Sequence, residues 1–152
     1  PQSPRAGAEP RYFPYDAGLR FEARAEHVEP ATLALAGSAG SVTRFTRFAV
    51  ARFGGHALEL YWLDAYGGGI FLPFRDETSG RETYGAGRYL LDTVKGADLG
   101  GTDETLVLDF NFAYNPSCAY DDSWACPLAP PANRLPFRVA AGELAPVNGV
   151  PN

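Results

Sequence analysis

Val42 to Phe53 (VTRFTRFAVARF) and His56 to Leu63 (HALELYWL) flank the dipeptide Gly54-Gly55. Two glycines between runs rich in β-branched and aromatic residues have the composition of a type I′ hairpin, whose two central residues both need positive φ. Counting back from the turn pairs Ala51 with Leu58, Ala49 with Leu60 and Arg47 with Trp62 on one face. The other face pairs Val50 with Glu59 and Phe48 with Tyr61, with Arg52 diagonal to Glu59. The first face is the more apolar and is expected to point inward. Arg47 beside Trp62 reads as a surface cation–π contact at the hairpin mouth.

Outward from the hairpin the same strand logic recurs. Leu19, Phe21, Ala23 and Ala25 alternate with Arg20, Glu22, Arg24 and Glu26, a half-buried strand with both charge signs on its wet face. A short strand from Ala31 to Ala36 follows Glu29-Pro30, and Gly37 to Gly40 ends it. Gly67-Gly68-Gly69 precedes a strand from Ile70 to Phe74, which Pro73 marks as an edge. Asp76 to Arg81 is a polar turn, Tyr84 to Leu91 a short apolar segment, and Lys95 to Gly101 a further turn. Thr105 to Phe112 alternates most clearly: Leu106, Leu108, Phe110 and Phe112 face one side, Val107, Asp109 and Asn111 the other. Asn115 to Asn133 is irregular and Pro-rich, and Leu135, Phe137 and Val139 make a last strand. No segment of useful length carries a helical period. The fold expected is all-β: a single-domain antiparallel β-sandwich or small β-barrel with an irregular Pro-rich C-terminal loop. Its organisation reads as an extended lead-in over 1–17, one β domain over 18–143 and a tail over 144–152.

The size and charge of the chain narrow what that domain can do. Its 152 residues suit one domain, and 45% hydrophobic residues against 20% charged are enough for a core. A net charge of −5 disfavours nucleic acid, whose phosphates call for clustered Lys and Arg. No apolar run is long enough for a transmembrane segment. There is no Met, so Pro1 is not an initiator and processing or trimming is expected upstream of it.

Cys118 and Cys126 are the only cysteines. Joined in a disulfide they would close a loop of about nine residues, worth roughly 2.5 kcal/mol in the chain-entropy model, and imply an oxidising compartment. As buried reduced thiols they would act as small hydrophobes; metal ligation is the third reading, and His27 and His56 are too scattered to support it. The disulfide leads, and with it an extracytoplasmic location (periplasmic, secreted or cell-surface) ahead of a cytoplasmic one.

Four strings carry a resemblance: ETYGAGRYL (Glu82 to Leu90), LDFNFAYNPSCAY (Leu108 to Tyr120), CPLAPPANRLPFRV (Cys126 to Val139) and AGE (Ala141 to Glu143). With YFPYD (Tyr12 to Asp16) and FLPFRDETSG (Phe71 to Gly80) they resemble, in collinear order over residues 10 to 143, a prokaryotic family known as domain of unknown function 1684. The resemblance maps onto Gly87, Arg88, Tyr89, Asp109, Asn111, Tyr114, Asn115, Cys118, Cys126, Asn133, Arg134 and Pro136, and implies no particular reaction. The Glu that precedes NRLP in the family is Ala132 here, and the lead before YFPYD is shorter.

An apolar pattern can specify a fold without Arg, Asp, Asn and Tyr at set places, so those positions suggest a polar cluster. As a structural network it would pair Arg88 with Asp109, with Asn side chains satisfying irregular backbone. As a ligand pocket it would use Arg88, Tyr89, Asp109, Asn111, Tyr114, Asn115 and Arg134. No triad, P-loop or nucleophile elbow is present, and no catalytic residue, metal or cofactor is assigned. The function expected is an extracytoplasmic binding or accessory module for an unidentified small molecule or protein. The alternatives are a small-molecule hydrolase or isomerase with Asp109 as general base, and a purely structural subunit.

Overall fold

The computed structural model describes residues 9–63, 70–92 and 105–147. The turns expected at 67–69 and 95–101, and the last residues of the tail, lie outside the described residues. Six strands form one antiparallel sheet: β1 (Arg20–Ala36), β2 (Val42–Phe53), β3 (His56–Leu63), β4 (Ile70–Phe74), β5 (Arg88–Asp92) and β6 (Thr105–Asp109). The order is β5-β4-β3-β2-β1-β6, so β5 and β6 are its two ends. The all-β expectation therefore holds, in a barrel-like form: the sheet curls into a half-barrel. Residues from both ends, Leu90 on β5 and Leu106 and Leu108 on β6, enter the same buried cluster. The helical turns among the described residues are three-residue 3-10 turns.

The hairpin is built as its glycines require, with φ of 51° at Gly54 and 79° at Gly55. Near the turn the register is the expected one: Ala51 faces Leu58, Val50 faces Glu59 and Ala49 faces Leu60. Between Arg47 and Ala49 the register shifts, so Arg47 faces Tyr61 and Thr46 faces Trp62. A second irregularity lies in β1 between His27 and Ala31, around Pro30. It joins the two expected short strands into one of 17 residues. Each bulge inserts backbone without a partner and moves every later side chain to the opposite face. Odd-numbered Ala23, Ala49, Ala51 and Phe53 thus fill the main core with Leu58, Leu60, Leu72, Phe74 and Leu90. Leu35 and Phe45, also odd-numbered, join Tyr61, Phe71 and Tyr89 in a second core on the other face.

Two expected contacts are also replaced. Arg47 makes an ion pair with Glu59 at 3.1 Å, and Trp62 stacks on Phe48 with ring centroids 4.8 Å apart. Arg52 bonds Glu26 at 3.0 Å instead of Glu59.

Three further strand expectations are corrected. Thr105 to Phe112 stops at Asp109, whose carboxylate accepts the Asn111 N–H at 3.0 Å and caps a 3-10 turn over Phe110–Phe112. Phe110 stays buried, but Phe112 is 61% exposed. Leu135 to Val139 forms no strand; it runs beside the end of β4 through single bonds, Leu135 N–H to Arg75 O at 2.8 Å and Glu77 N–H to Phe137 O at 3.1 Å. Pro73 does not mark an edge, because β4 lies between β3 and β5.

Asn133 explains how an interior strand accommodates that proline. Ladder pairing between β3 and β4 is confined to Tyr61–Phe71 and Trp62–Ile70. Beyond it the strands part, and the fully buried Asn133 amide fills the gap. Its Oδ1 accepts the Glu59 N–H at 2.8 Å, while Nδ2 donates to Glu59 O at 3.0 Å and Pro73 O at 2.9 Å. One side chain replaces the missing ladder, so buried backbone groups find partners despite the proline.

Asn133→Ala strands one N–H and two carbonyls inside the protein and should destabilise it by about 3 kcal/mol, read as a lower urea midpoint. Asn133→Asp should do no better, because a carboxylate has no donor for the two carbonyls. An unchanged midpoint in either variant would contradict the bridging role.

Candidate functional site

The polar residues singled out in the sequence are placed by three separate systems. The largest begins at Gly87, where φ is 105° and a Cβ would stand 2.5 Å from Phe74 O. Only glycine permits β5 to approach β4 this closely. The next residue, Arg88, is 1% exposed and lies with its guanidinium 5.2 Å from the Phe74 ring centroid. Nη1 donates to Ala141 O and, at 3.3 Å, to Glu143 O; Nη2 donates to Val139 O at 3.0 Å and Asp76 Oδ1 at 3.4 Å. The ion-pair partner of Arg88 is therefore Asp76, not Asp109. Asp76 is fully buried, and its Oδ2 accepts the Thr78 N–H at 3.1 Å, the Thr78 hydroxyl at 2.8 Å and the Val139 N–H at 2.7 Å.

Asn115 adjoins this system. Its N–H donates to Glu143 Oε1 at 2.9 Å and its Nδ2 to Leu144 O at 2.9 Å. Glu143 Oε2 and Asn115 Oδ1 are both buried with no hydrogen-bond partner among the described residues. Burial raises the Glu143 pKa above its usual value, against the opposing pull of the Asn115 bonds and the Arg88 charge.

Asp109 and Asn111 form the second system. Asp109 Oδ1 accepts both the N–H and the Nδ2 of Asn111, at 3.0 and 2.8 Å. The Asn111 amide in turn clasps the backbone of Asp16, accepting its N–H and donating to its carbonyl, each at 2.9 Å. Tyr89 and Tyr114 form the third: their backbones exchange two hydrogen bonds of 2.8 and 2.9 Å, and their rings meet edge to face at 5.8 Å. The Tyr89 hydroxyl donates to Pro127 O.

The expected disulfide is absent: Cys118 and Cys126 are unlinked, buried thiols. The Cys126 sulfur accepts the Cys118 N–H at 3.3 Å, and the Cys118 sulfur meets the Tyr84 hydroxyl at 3.7 Å. Among the described residues no group of three or more His, Cys, Asp or Glu is arranged to hold a metal.

Arg134 stands apart from the other expected residues. It is exposed, and a parallel bridge with Arg75 holds it beside the end of β4. There it lines a cleft of about 400 Å³ with Glu77, Ser79, Arg81 and Arg138. Arg138 is engaged by the Glu82 carboxylate through both terminal nitrogens. A larger groove of about 570 Å³ is lined by β1 from Glu22 to His27 and by Thr105. Arg81 and Arg138 were missed because clustered arginines from different segments leave no sequence period. Asp76 and Glu143 lay inside quoted strings, FLPFRDETSG and AGE, but nothing in those strings marks a carboxylate as buried.

Two measurements test the Arg88 system. Arg88→Met removes the donor for three carbonyls and a buried carboxylate, and should cost about 3–5 kcal/mol in urea unfolding. For Glu143, a folded pKa above the unfolded value means the native state binds more protons. Its contribution is then greatest below the usual value near 4.5 and is lost as pH rises through the raised folded pKa. Glu143→Gln should gain stability over the native protein as pH rises above the ordinary carboxylate range; parallel stability profiles would exclude a raised pKa.

The family model described as protein of unknown function (DUF1684) matches residues 8–144. Among solved structures, the chain is similar to the solution NMR structure of an uncharacterized protein from Haloarcula marismortui. That likeness has 31% identity and a TM-score of 0.65, and covers 91% of this chain and 77% of the other. No curated protein matches it. With nearly the whole described domain inside the match, the chain belongs to the DUF1684 family.

Proposed function

We propose that the protein is a binding module for a small anionic ligand, taken up in the cleft lined by Glu77, Ser79, Arg81, Arg134 and Arg138. The observation that carries this reading is the pair Arg81 and Arg134. Both are exposed and line one cleft, and among the described residues neither side chain makes an ion pair or hydrogen bond. In an acidic chain, two uncommitted guanidiniums sharing a cleft give a local site for a carboxylate or phosphate, which Arg can grip with two parallel bonds. The Ser79 hydroxyl adds a neutral donor. Glu77 favours ligands carrying a donor group beside the anionic one.

The hydrolase or isomerase alternative would need the Asp109 carboxylate to face a substrate. Asp109 is instead 6% exposed with Oδ1 committed to Asn111. Arg88, Asn115 and Asn133 support a structural role for most of the expected cluster, and Arg134 is the member turned toward solvent.

The test is thermal unfolding of the full chain at low ionic strength with inorganic phosphate, citrate and glutamate as probes. A ligand at about 100-fold over its Kd stabilises by about 2.7 kcal/mol, visible as a Tm that climbs with concentration. Arg134→Glu and Arg81→Glu should each abolish the shift for any anion that produces one. A flat Tm with all three probes, or a shift that survives both reversals, overturns the proposal.

A further inference from the structure

The second feature lies away from the cleft. Three segments converge on the two thiols. The first is the turn between β1 and β2, where the Ser38 hydroxyl accepts the Cys126 N–H at 2.9 Å and Ser38 N–H donates to Cys126 O at 2.9 Å. That approach requires Gly37, since a Cβ there would stand 2.6 Å from Cys126 O. The second is the turn carrying Tyr84, whose hydroxyl lies 3.7 Å from the Cys118 sulfur. The third is the 3-10 turn Ser117–Ala119, which brings the Cys118 N–H to 3.3 Å from the Cys126 sulfur. Cys118 is 1% and Cys126 7% exposed. Residues 122–125 between them are all exposed, so the chain that joins the two thiols runs at the surface.

We propose that Cys118 and Cys126 are a hydroperoxide-reactive dithiol, with Cys118 as the attacking sulfur and Cys126 as the resolving one. The Cys118 thiolate attacks one peroxide oxygen. An S–O bond forms, the O–O bond breaks, and the departing hydroxide or alkoxide takes up a proton. The Cys126 sulfur then attacks the resulting sulfenic sulfur, an S–S bond forms, and the sulfenic oxygen leaves as water with the Cys126 proton. Two thiols are oxidised and one hydroperoxide is reduced to water or an alcohol. The assignment of roles follows from the hydrogen bonds. The Cys118 sulfur meets the Tyr84 hydroxyl at 3.7 Å, and a hydroxyl donor there favours a thiolate. Its pKa lies below the ordinary thiol range despite burial, lowered most by the neighbouring Cys126 and further by Tyr84 and Ser38. Cys126, whose sulfur accepts the Cys118 N–H at 3.3 Å, lies beside the residue that carries the sulfenic group.

This proposal is independent of the anion cleft, which contains neither cysteine. It also separates the pair from a structural disulfide, because the dithiol is the resting state and the oxidised form the product.

The reduced chain is treated with hydrogen peroxide at neutral pH and followed by intact mass, native and in urea. The native chain should lose two hydrogens at least about tenfold faster than the unfolded chain, and dithiothreitol should restore the mass without denaturant. Cys126→Ser should instead accumulate a sulfenic acid at Cys118 that dimedone traps, whereas Cys118→Ser should give no comparable adduct at Cys126. Tyr84→Phe should slow the native reaction several-fold. Oxidation no faster in the native protein than in urea, or dimedone capture at Cys126 ahead of Cys118, overturns the proposal. The comparison of native and unfolded wild-type chains decides it even where a variant fails to fold.

Discussion

One buried guanidinium holds the C-terminal segment onto the sheet. A single sheet that curls without closing leaves its concave face to be covered, and the described cover is irregular chain without a hydrogen-bonding pattern of its own. Arg88 supplies one: its two terminal nitrogens reach carbonyls at 139, 141 and 143, and its charge is balanced by the equally buried Asp76. A cation this deep is tolerable only when its donors are largely met and a carboxylate is at hand. The apolar consequence is large, since Val139 and Ala141 enter the main core beside Leu135 and Phe110. The C-terminal segment thus does the work of a second layer without being a strand.

The same economy shapes the sheet. Two bulges allow one set of odd-numbered residues to serve both faces, giving a main core of aliphatic and phenyl groups and a second one rich in aromatic rings. Alternation read from the sequence found most of the strands, the hairpin turn and the inward face near it, because there each residue's environment follows from its neighbour's. It could not find the bulges. A shift of one residue at Arg47 leaves composition unchanged, so no local pattern marks it. For the same reason Phe112 looked like a core residue. The Asp109 cap that ends the strand is a local hydrogen bond, and it overrides a hydrophobic pattern that continues past it.

The candidate site was legible in a different proportion. Marking Arg88, Tyr89, Asp109, Asn111, Tyr114 and Asn115 as a polar set located residues with demanding geometry, but geometry of that kind is what irregular backbone also needs. Asn133 shows how closely the two demands look alike: a buried amide with three bonds reads like a ligand-binding residue until its partners prove to be Glu59 and Pro73 main chain. Arg134 differs by one structural fact, its exposure, and exposure in a loop cannot be read from residue type.

Asp76 ties the buried staple to the exposed cleft. The cleft has two walls, 77–82 and 134–138. The first leaves directly from Asp76, whose carboxylate fixes the turn through Thr78. The second ends at Val139, whose N–H binds the same carboxylate, and Glu77 N–H to Phe137 O joins the walls midway. Arg88 holds Asp76 from beneath. Arg81 and Arg134 are therefore carried on backbone whose spacing is set by buried hydrogen bonds, so that a bound anion would have only side chains to order. That is the condition under which a few exposed charges bind with useful affinity, and it makes the buried network and the exposed arginines parts of one arrangement.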